Sequence, residues 1–342
     1  MKSAFIIKKR LLLLVVAVSI LAAVSCNRGR ARVLEVVYVS APQAVLRDRV
    51  AAVFEKVGIV KNGDRIEVID RDRRFLKVRT SAGLEGWLEQ RYTISQQTYD
   101  QLQKLSQDAK SYPAQGTGTT RNDTNIHLEP SRDSDHLYQI SQTAKVSILK
   151  RATSEKQPTA RPPVAAPGKK DPPKSVMEDW WLIRDAQGHT GWVLARMVDL
   201  DVPLDIAQYA EGQRIQSFFV LDEVNDGDKK VPEYLVLLSE PRDGNPYDYD
   251  QVRVFTWNVR RHRYETAYRE RKLEGFFPVS VSRENFDKEG ELPVFTLKVR
   301  DDAGNLFDKK YKMNTPIVRR VLAPGEVAQK PVRVKQKARG GR

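Results

Sequence analysis

Residues 73–93, RRFLKVRTSAGLEGWLEQRYT, and residues 178–198, EDWWLIRDAQGHTGWVLARMV, lie over one another without a gap. Arg79 meets Arg184, Gly83 meets Gly188, Gly86-Trp87 meets Gly191-Trp192, and Arg91 meets Arg196. Upstream, NGDRIEVI from Asn62 lies over QTAKVSIL from Gln142, at a smaller offset, so the second copy carries an insertion at about 152–177. A chain that repeats itself at this spacing is read first as repeated structural units. Within each copy, short runs alternate apolar with polar residues, as in Ile66-Val68 and Phe75-Leu76-Val78, and a glycine-bearing turn follows. Such runs predict small antiparallel strands. The insertion, ATSEKQPTARPPVAAPGKKDPPKSV, is rich in proline, lysine and alanine and lacks the apolar residues of a core, so it reads as a disordered loop.

The two copies resemble the bacterial SH3-like domain. The first supplies AVLRD, NGDRIEVI and FLKVRTSAGLEGWLEQRYT; the second supplies NIHLEPSRDSDHL, TAKVSIL and WWLIRDAQGHTGWVLARMV. That resemblance implies two small β-barrels, at 34–93 and 121–200, and attachment to peptidoglycan or envelope peptides. Aromatic residues are the natural contacts for such ligands. The candidates are Trp87, Trp180, Trp181, Trp192 and Tyr92. A tryptophan after a glycine turn in a small barrel belongs to the core, which is the expectation for Trp87 and Trp192. Trp180 and Trp181 are adjacent in a strand, so their side chains point to opposite faces and one is expected to be exposed.

The start of the chain has a different texture. Lys2, Lys8, Lys9 and Arg10 precede an apolar run from Leu11 to about Val24, too short for the ~20 residues of a spanning helix, as in a secretory signal. Ala23-Val24-Ser25 before Cys26, the only cysteine, is similar to a bacterial lipoprotein signal. The resemblance implies removal of residues 1–25 and attachment of diacylglycerol to Cys26, a durable membrane anchor facing the periplasm or cell exterior. With Asn27 next, it implies the outer membrane in a Gram-negative cell. No internal disulfide is available to a chain with one thiol. Its formal charge is +14, and export directs that charge to envelope polyanions and away from nucleic acid.

Between the copies, Ile94, Tyr99, Leu102 and Leu105 recur at helical intervals after a capping Ser95, predicting a helix packed on the first barrel. SYPAQGTGTT reads as a flexible linker, so 94–120 is taken as helix plus linker. Residues 204–322 hold seven or so apolar-alternating runs between turn signals such as NDGDKK and RDGNPYDYD, predicting an antiparallel sandwich or barrel. The whole chain is therefore mainly β. In that last region Asp222, Asn225, Asp226 and Asp228 are spaced as an acidic hairpin turn, with calcium the less favoured reading. Residues 323–342 form a basic tail without hydrophobic periodicity.

Enzyme chemistry finds little support. Cys26 is committed to the lipid, and the four histidines, His127, His136, His189 and His262, form no His-Glu-x-x-His helix. No metal or cofactor is expected. The sequence thus points to a lipid-anchored, non-enzymatic envelope-binding protein. A scaffold acting on protein partners through its carboxy-terminal β-domain is the alternative, followed by an accessory wall hydrolase.

Overall fold

The Gly-Trp step shared by the repeats is a packing requirement. In the computed structural model, which describes residues 31–156 and 175–322, a Cβ on Gly86 would lie 2.9 Å from Leu46 Cβ and 3.2 Å from the Arg47 carbonyl. On Gly191 it would lie 2.4 Å from Ile126 Cγ2 and 2.6 Å from the His127 carbonyl. In both copies a neighbouring strand crosses where a side chain would stand, so only glycine fits. The signal segment with Cys26, the centre of the proline-rich insertion and the basic tail lie outside the described residues.

The chain divides into two compact units after Tyr99. In the first, β1 (Glu35–Val39), β2 (Gln43–Arg47), β3 (Lys56–Lys61), β4 (Arg65–Asp72), β5 (Phe75–Arg79), β6 (Glu85–Glu89) and β7 (Thr93–Ser95) form one antiparallel sheet. Their order is β3-β2-β6-β5-β4-β1-β7. Val37, Leu46, Val60, Ile66, Leu76 and Leu88, one from each of six strands, meet in a single core cluster. A sheet whose inward residues all meet must curl on itself, so this is a small barrel.

The second unit opens with the same plan. β8 (Gly116–Thr120), β9 (Thr124–His127), β10 (His136–Ile140), β11 (Lys145–Glu155), β12 (Met177–Arg184), β13 (Thr190–Leu194) and β14 (Val198–Leu200) are arranged as β10-β9-β13-β12-β11-β8-β14, the order of the first barrel strand for strand. Ile126, Ile140, Val146, Ile148, Trp181, Ile183, Val193 and Val198 fill it. Both barrels carry a bulge at the same place, leaving Ile69 and Leu149 unpaired in the ladder and turned to the outside of the curl.

Three expectations need correction here. The stretch read as linker contains β8: Gly116–Thr120 pairs with β11 and β14, and a Cβ on Gly118 would stand 2.6 Å from Val198 Cγ1. Its glycines serve close strand approach, and its threonines favour the strand. The insertion is narrower than expected, because the β11–β12 ladder continues to Glu155↔Met177. The helix, α1 (Gln96–Asp108), is capped as expected, with Ser95 Oγ accepting from the Thr98 amide at 3.0 Å. In the first unit Tyr99 stacks on Tyr38, ring centres 3.7 Å apart. In the second unit, however, Leu105 and Ala109 pack with Tyr112 on Leu149, Leu182 and Trp192 of the second barrel.

The rest of the second unit is a seven-stranded meander: β15 (Arg214–Asp226), β16 (Lys229–Ser239), β17 (Tyr249–Asn258), β18 (Arg263–Phe286), β19 (Gly290–Arg300), β20 (Leu306–Asn314) and β21 (Ile317–Val321), each beside its sequence neighbour. It is apolar on both faces. Tyr234, Val236 and Leu238 join Ile206, Phe255 and Tyr264 on one, while Leu235 and Leu237 join Val252, Val254, Phe295 and Leu297 on the other. That explains why β16 reads as a continuous apolar run.

Candidate ligand-binding surfaces of the two barrels

In the first barrel, polar and aromatic side chains gather where β2, β5 and β6 meet the loop 48–55. Arg47 stands opposite Trp87 in the ladder, and its Nη2 donates to Glu89 Oε1 at 2.9 Å. Its guanidinium carbon lies 4.2 Å from the Phe54 ring centre and 5.2 Å from that of Phe75. Glu89 also holds Arg91, Nε to Oε2 2.8 Å, and Arg91 Nη2 donates to the Tyr92 hydroxyl at 2.7 Å. One carboxylate therefore fixes two arginines beside aromatic rings. Fixed guanidinium planes next to apolar rings suit a ligand that combines carboxylate or carbonyl oxygens with apolar groups. Val53 is 85% exposed at the edge of this patch and Phe54 is partly exposed. Trp87 and Tyr92 are half-buried, and Tyr92 packs on the core. Arg47, Phe54 and Glu89 were not singled out from sequence; the apolar stretch Val50–Phe54, flanked by charges in DRVAAVFEK, was the available signal.

The same positions differ in the second barrel. His127 replaces Arg47 opposite the tryptophan, and His136 pairs with His127 as Lys56 pairs with Arg47. The two imidazoles lie 5.5 Å apart, and Trp180 meets His127 edge-on at 5.6 Å. His127 Nδ1 is 2.9 Å from the Ser134 carbonyl, so that nitrogen carries the proton. Burial holds both histidines below the ordinary value, and His127 lowers His136 further. Glu178, gripped by Arg132 at 2.7 and 2.5 Å, is held below the usual carboxylate range by that guanidinium.

The tryptophan pair departs from expectation. Trp180 and Trp181 do point to opposite faces, yet both are buried, at 0% and 4% exposure. Trp181 belongs to the barrel core and meets Phe277 of β18, while Trp180 lies against the His127–Ser134 corner. Opposite faces imply one exposed side chain only where one face meets water. Trp87 and Trp192, both expected in the barrel cores, are half-buried outside them, Trp192 on the outer face beneath Leu105, Ala109 and Tyr112. The acidic turn in the last sheet is internally engaged: Asp226 accepts from Trp257 Nε1 at 2.8 Å and lies 2.7 Å from His262 Nδ1, and Asp222 pairs with Arg283. Among the described residues no cluster of three or more histidines, cysteines or acids is placed to hold a metal.

Residues 49–94 match the bacterial SH3 domain. The matched segment covers the first barrel from the loop after β2 to β7, so it includes Phe54, Trp87, Glu89, Arg91 and Tyr92 of the SH3 surface. No curated protein matches the chain. Among solved structures, it is similar to an NlpC/P60 family protein from Bacillus cereus, with 11% identity over 55% of this chain and 65% of that one and a TM-score of 0.22. NlpC2 from Trichomonas vaginalis matches at 9% identity over 71% of this chain and 99% of that one, TM-score 0.18, and NlpC1 from the same organism at 9% over 70% and 89%, TM-score 0.17. The chain thus spans about two thirds of the Bacillus cereus protein's length.

Proposed function

We propose that this is a lipid-anchored cell-envelope protein that attaches to peptidoglycan or to envelope peptides through its SH3 surface, without catalysing a reaction. The observation that carries the reading is the cation–aromatic patch of Arg47, Phe54, Trp87 and Arg91 on the SH3 domain. Acylated Cys26 supplies the membrane anchor, and the second barrel, identical in strand order, is a second copy of the same domain. A thiol consumed by the lipid leaves no nucleophile for cysteine-peptidase chemistry, because Cys26 is the only cysteine.

Co-sedimentation of the detergent-solubilised full chain with purified sacculi tests it. Binding should persist at high salt, where a Debye length of ~3 Å at 1 M removes mere basic attraction. A Trp87→Ala/Arg91→Ala variant should lose most of it. Binding that disappears entirely with salt, or that the variant retains, would sink the reading.

A further inference from the structure

Where β17 meets β18 the ladder runs from Tyr249↔Gly275 to Gln251↔Arg271, so Asp250 alone faces Lys272, Leu273 and Glu274. This bulge is pinned by its neighbours. A Cβ on Gly275 would stand 2.0 Å from the buried Tyr249 ring, and Leu273, 6% exposed, is fixed in the core of the last sheet. Between them Lys272 adopts φ 59°, left-handed backbone that is strained for a lysine and open to a glycine. Such strain persists where the surroundings impose it, and bulges re-aim side chains. Here they line a cleft of about 550 Å3, within the range of small-molecule sites.

The lining is charged, and most of its acids are neutralised. Glu211 holds Arg253 and Arg269 at 3.0 and 2.8 Å, Glu240 holds Arg242 at 2.9 Å, and Glu274 holds Arg300 at 3.2 Å. Three ionic groups of the cleft have no ion pair among the described residues. Asp250, half-buried, accepts through Oδ2 from the Glu240 amide and the Tyr247 hydroxyl, each at 3.3 Å, and its Oδ1 takes no donor. Arg271 donates from Nε to Gln251 Oε1 at 2.9 Å, which orients the guanidinium and leaves its terminal nitrogens to a ligand. The Lys272 ammonium is exposed and donates to no described residue. Two cations and one carboxylate thus face one cleft from adjacent strands without pairing. A simple anion or a simple cation would satisfy one side only; a molecule carrying both charges satisfies the two together.

We propose that this cleft binds a small zwitterion of the amino-acid class, its ammonium on Asp250 Oδ1 and its carboxylate between Arg271 and Lys272. The site uses no residue of the SH3 surface and does not depend on the envelope-binding reading.

Isothermal titration calorimetry of the detergent-solubilised full chain with β-alanine, γ-aminobutyrate and ε-aminocaproate tests it, with butyrate and butylamine as single-charge controls. At least one zwitterion should bind saturably at millimolar concentration, and neither control should. Lys272→Gly and Asp250→Asn should each weaken that binding roughly tenfold. Glycine accepts the left-handed backbone, so Lys272→Gly should keep the wild-type melting temperature, and its lost affinity then cannot come from unfolding. Absence of saturable heat with every zwitterion, a control that binds as tightly, or binding indifferent to Lys272→Gly would overturn the assignment.

Discussion

The two barrels share a strand order and put corresponding residues to different uses. Arg184 of the second donates to the Ala109 and Tyr112 carbonyls just beyond α1, whereas its counterpart Arg79 donates to Glu85 in its own hairpin. Leu149, Leu182 and Trp192 form an apolar outer patch beneath Leu105, Ala109 and Tyr112; the first barrel has Ile69, Lys77 and Trp87 there. Arg151 and Asp179, each 3% exposed, form a two-pronged pair at 2.8 and 3.2 Å, and Arg151 also donates to the Asn245 and Tyr247 carbonyls in the loop between β16 and β17. Gln115 adds to that junction, its Oε1 accepting from the Val279 amide at 2.7 Å. The counterparts Arg71 and Arg74 are exposed. One barrel has become part of a larger core while the other keeps a cation–aromatic face at its surface.

Breaking the buried pair should separate the copies most clearly. Arg151→Met leaves buried Asp179 with only the longer 3.3 Å contact to Arg214 and the Gly244 amide, and should cost about 3 kcal/mol of stability in the second unit. Arg71→Met removes an exposed pair with Glu35 and should cost less than about 1 kcal/mol, by urea denaturation. Next come the tryptophans. Trp192→Ala strips the patch under the helix and should cost about 3 kcal/mol, with Trp87→Ala about half as much, if the half-exposed ring serves a ligand more than the fold. Equal costs would erase the distinction.

The smallest effect is in pH. His127 and His136 are held below 6.5 by burial, so as pH falls below about 6.5 the unfolded chain binds more protons than the folded one and stability drops. The contribution is intact above that value and is lost as pH falls toward the folded values. The first barrel contains no histidine, so it should show no such imidazole dependence. Tryptophan-detected denaturation at pH 7.5 and 5.5 should therefore move the second unit, and a His127→Gln/His136→Gln variant should cancel the shift.

Much of the architecture was legible in the sequence. Alternation in Ile66-Val68 and Phe75–Val78 specified half-buried strands, the Gly-Trp steps marked both barrels, and Tyr99, Leu102 and Leu105 after Ser95 specified a capped helix, although Ile94, read with them, belongs to β7. Those signals are local, since side-chain periodicity and backbone freedom depend on neighbours in sequence. β8 was hidden because Gly-Thr-Gly-Thr-Thr has a linker's composition, and only the approach of Val198 to Gly118 shows why the glycine is there. The surfaces were less legible. Phe54 and Glu89 join Arg47 from separate strands and loops.

By itself the sequence determined the β class, the repeat and the alternation that buries one face of each strand. Tertiary structure alone decided what covers the other face. Trp180 and Trp181 point opposite ways as any adjacent strand residues do, but both are buried, one at the His127–Ser134 corner and one in a core that Phe277 joins. Periodicity says which side chains share a face; burial is a property of whatever packs against that face, and that comes from residues distant in the chain.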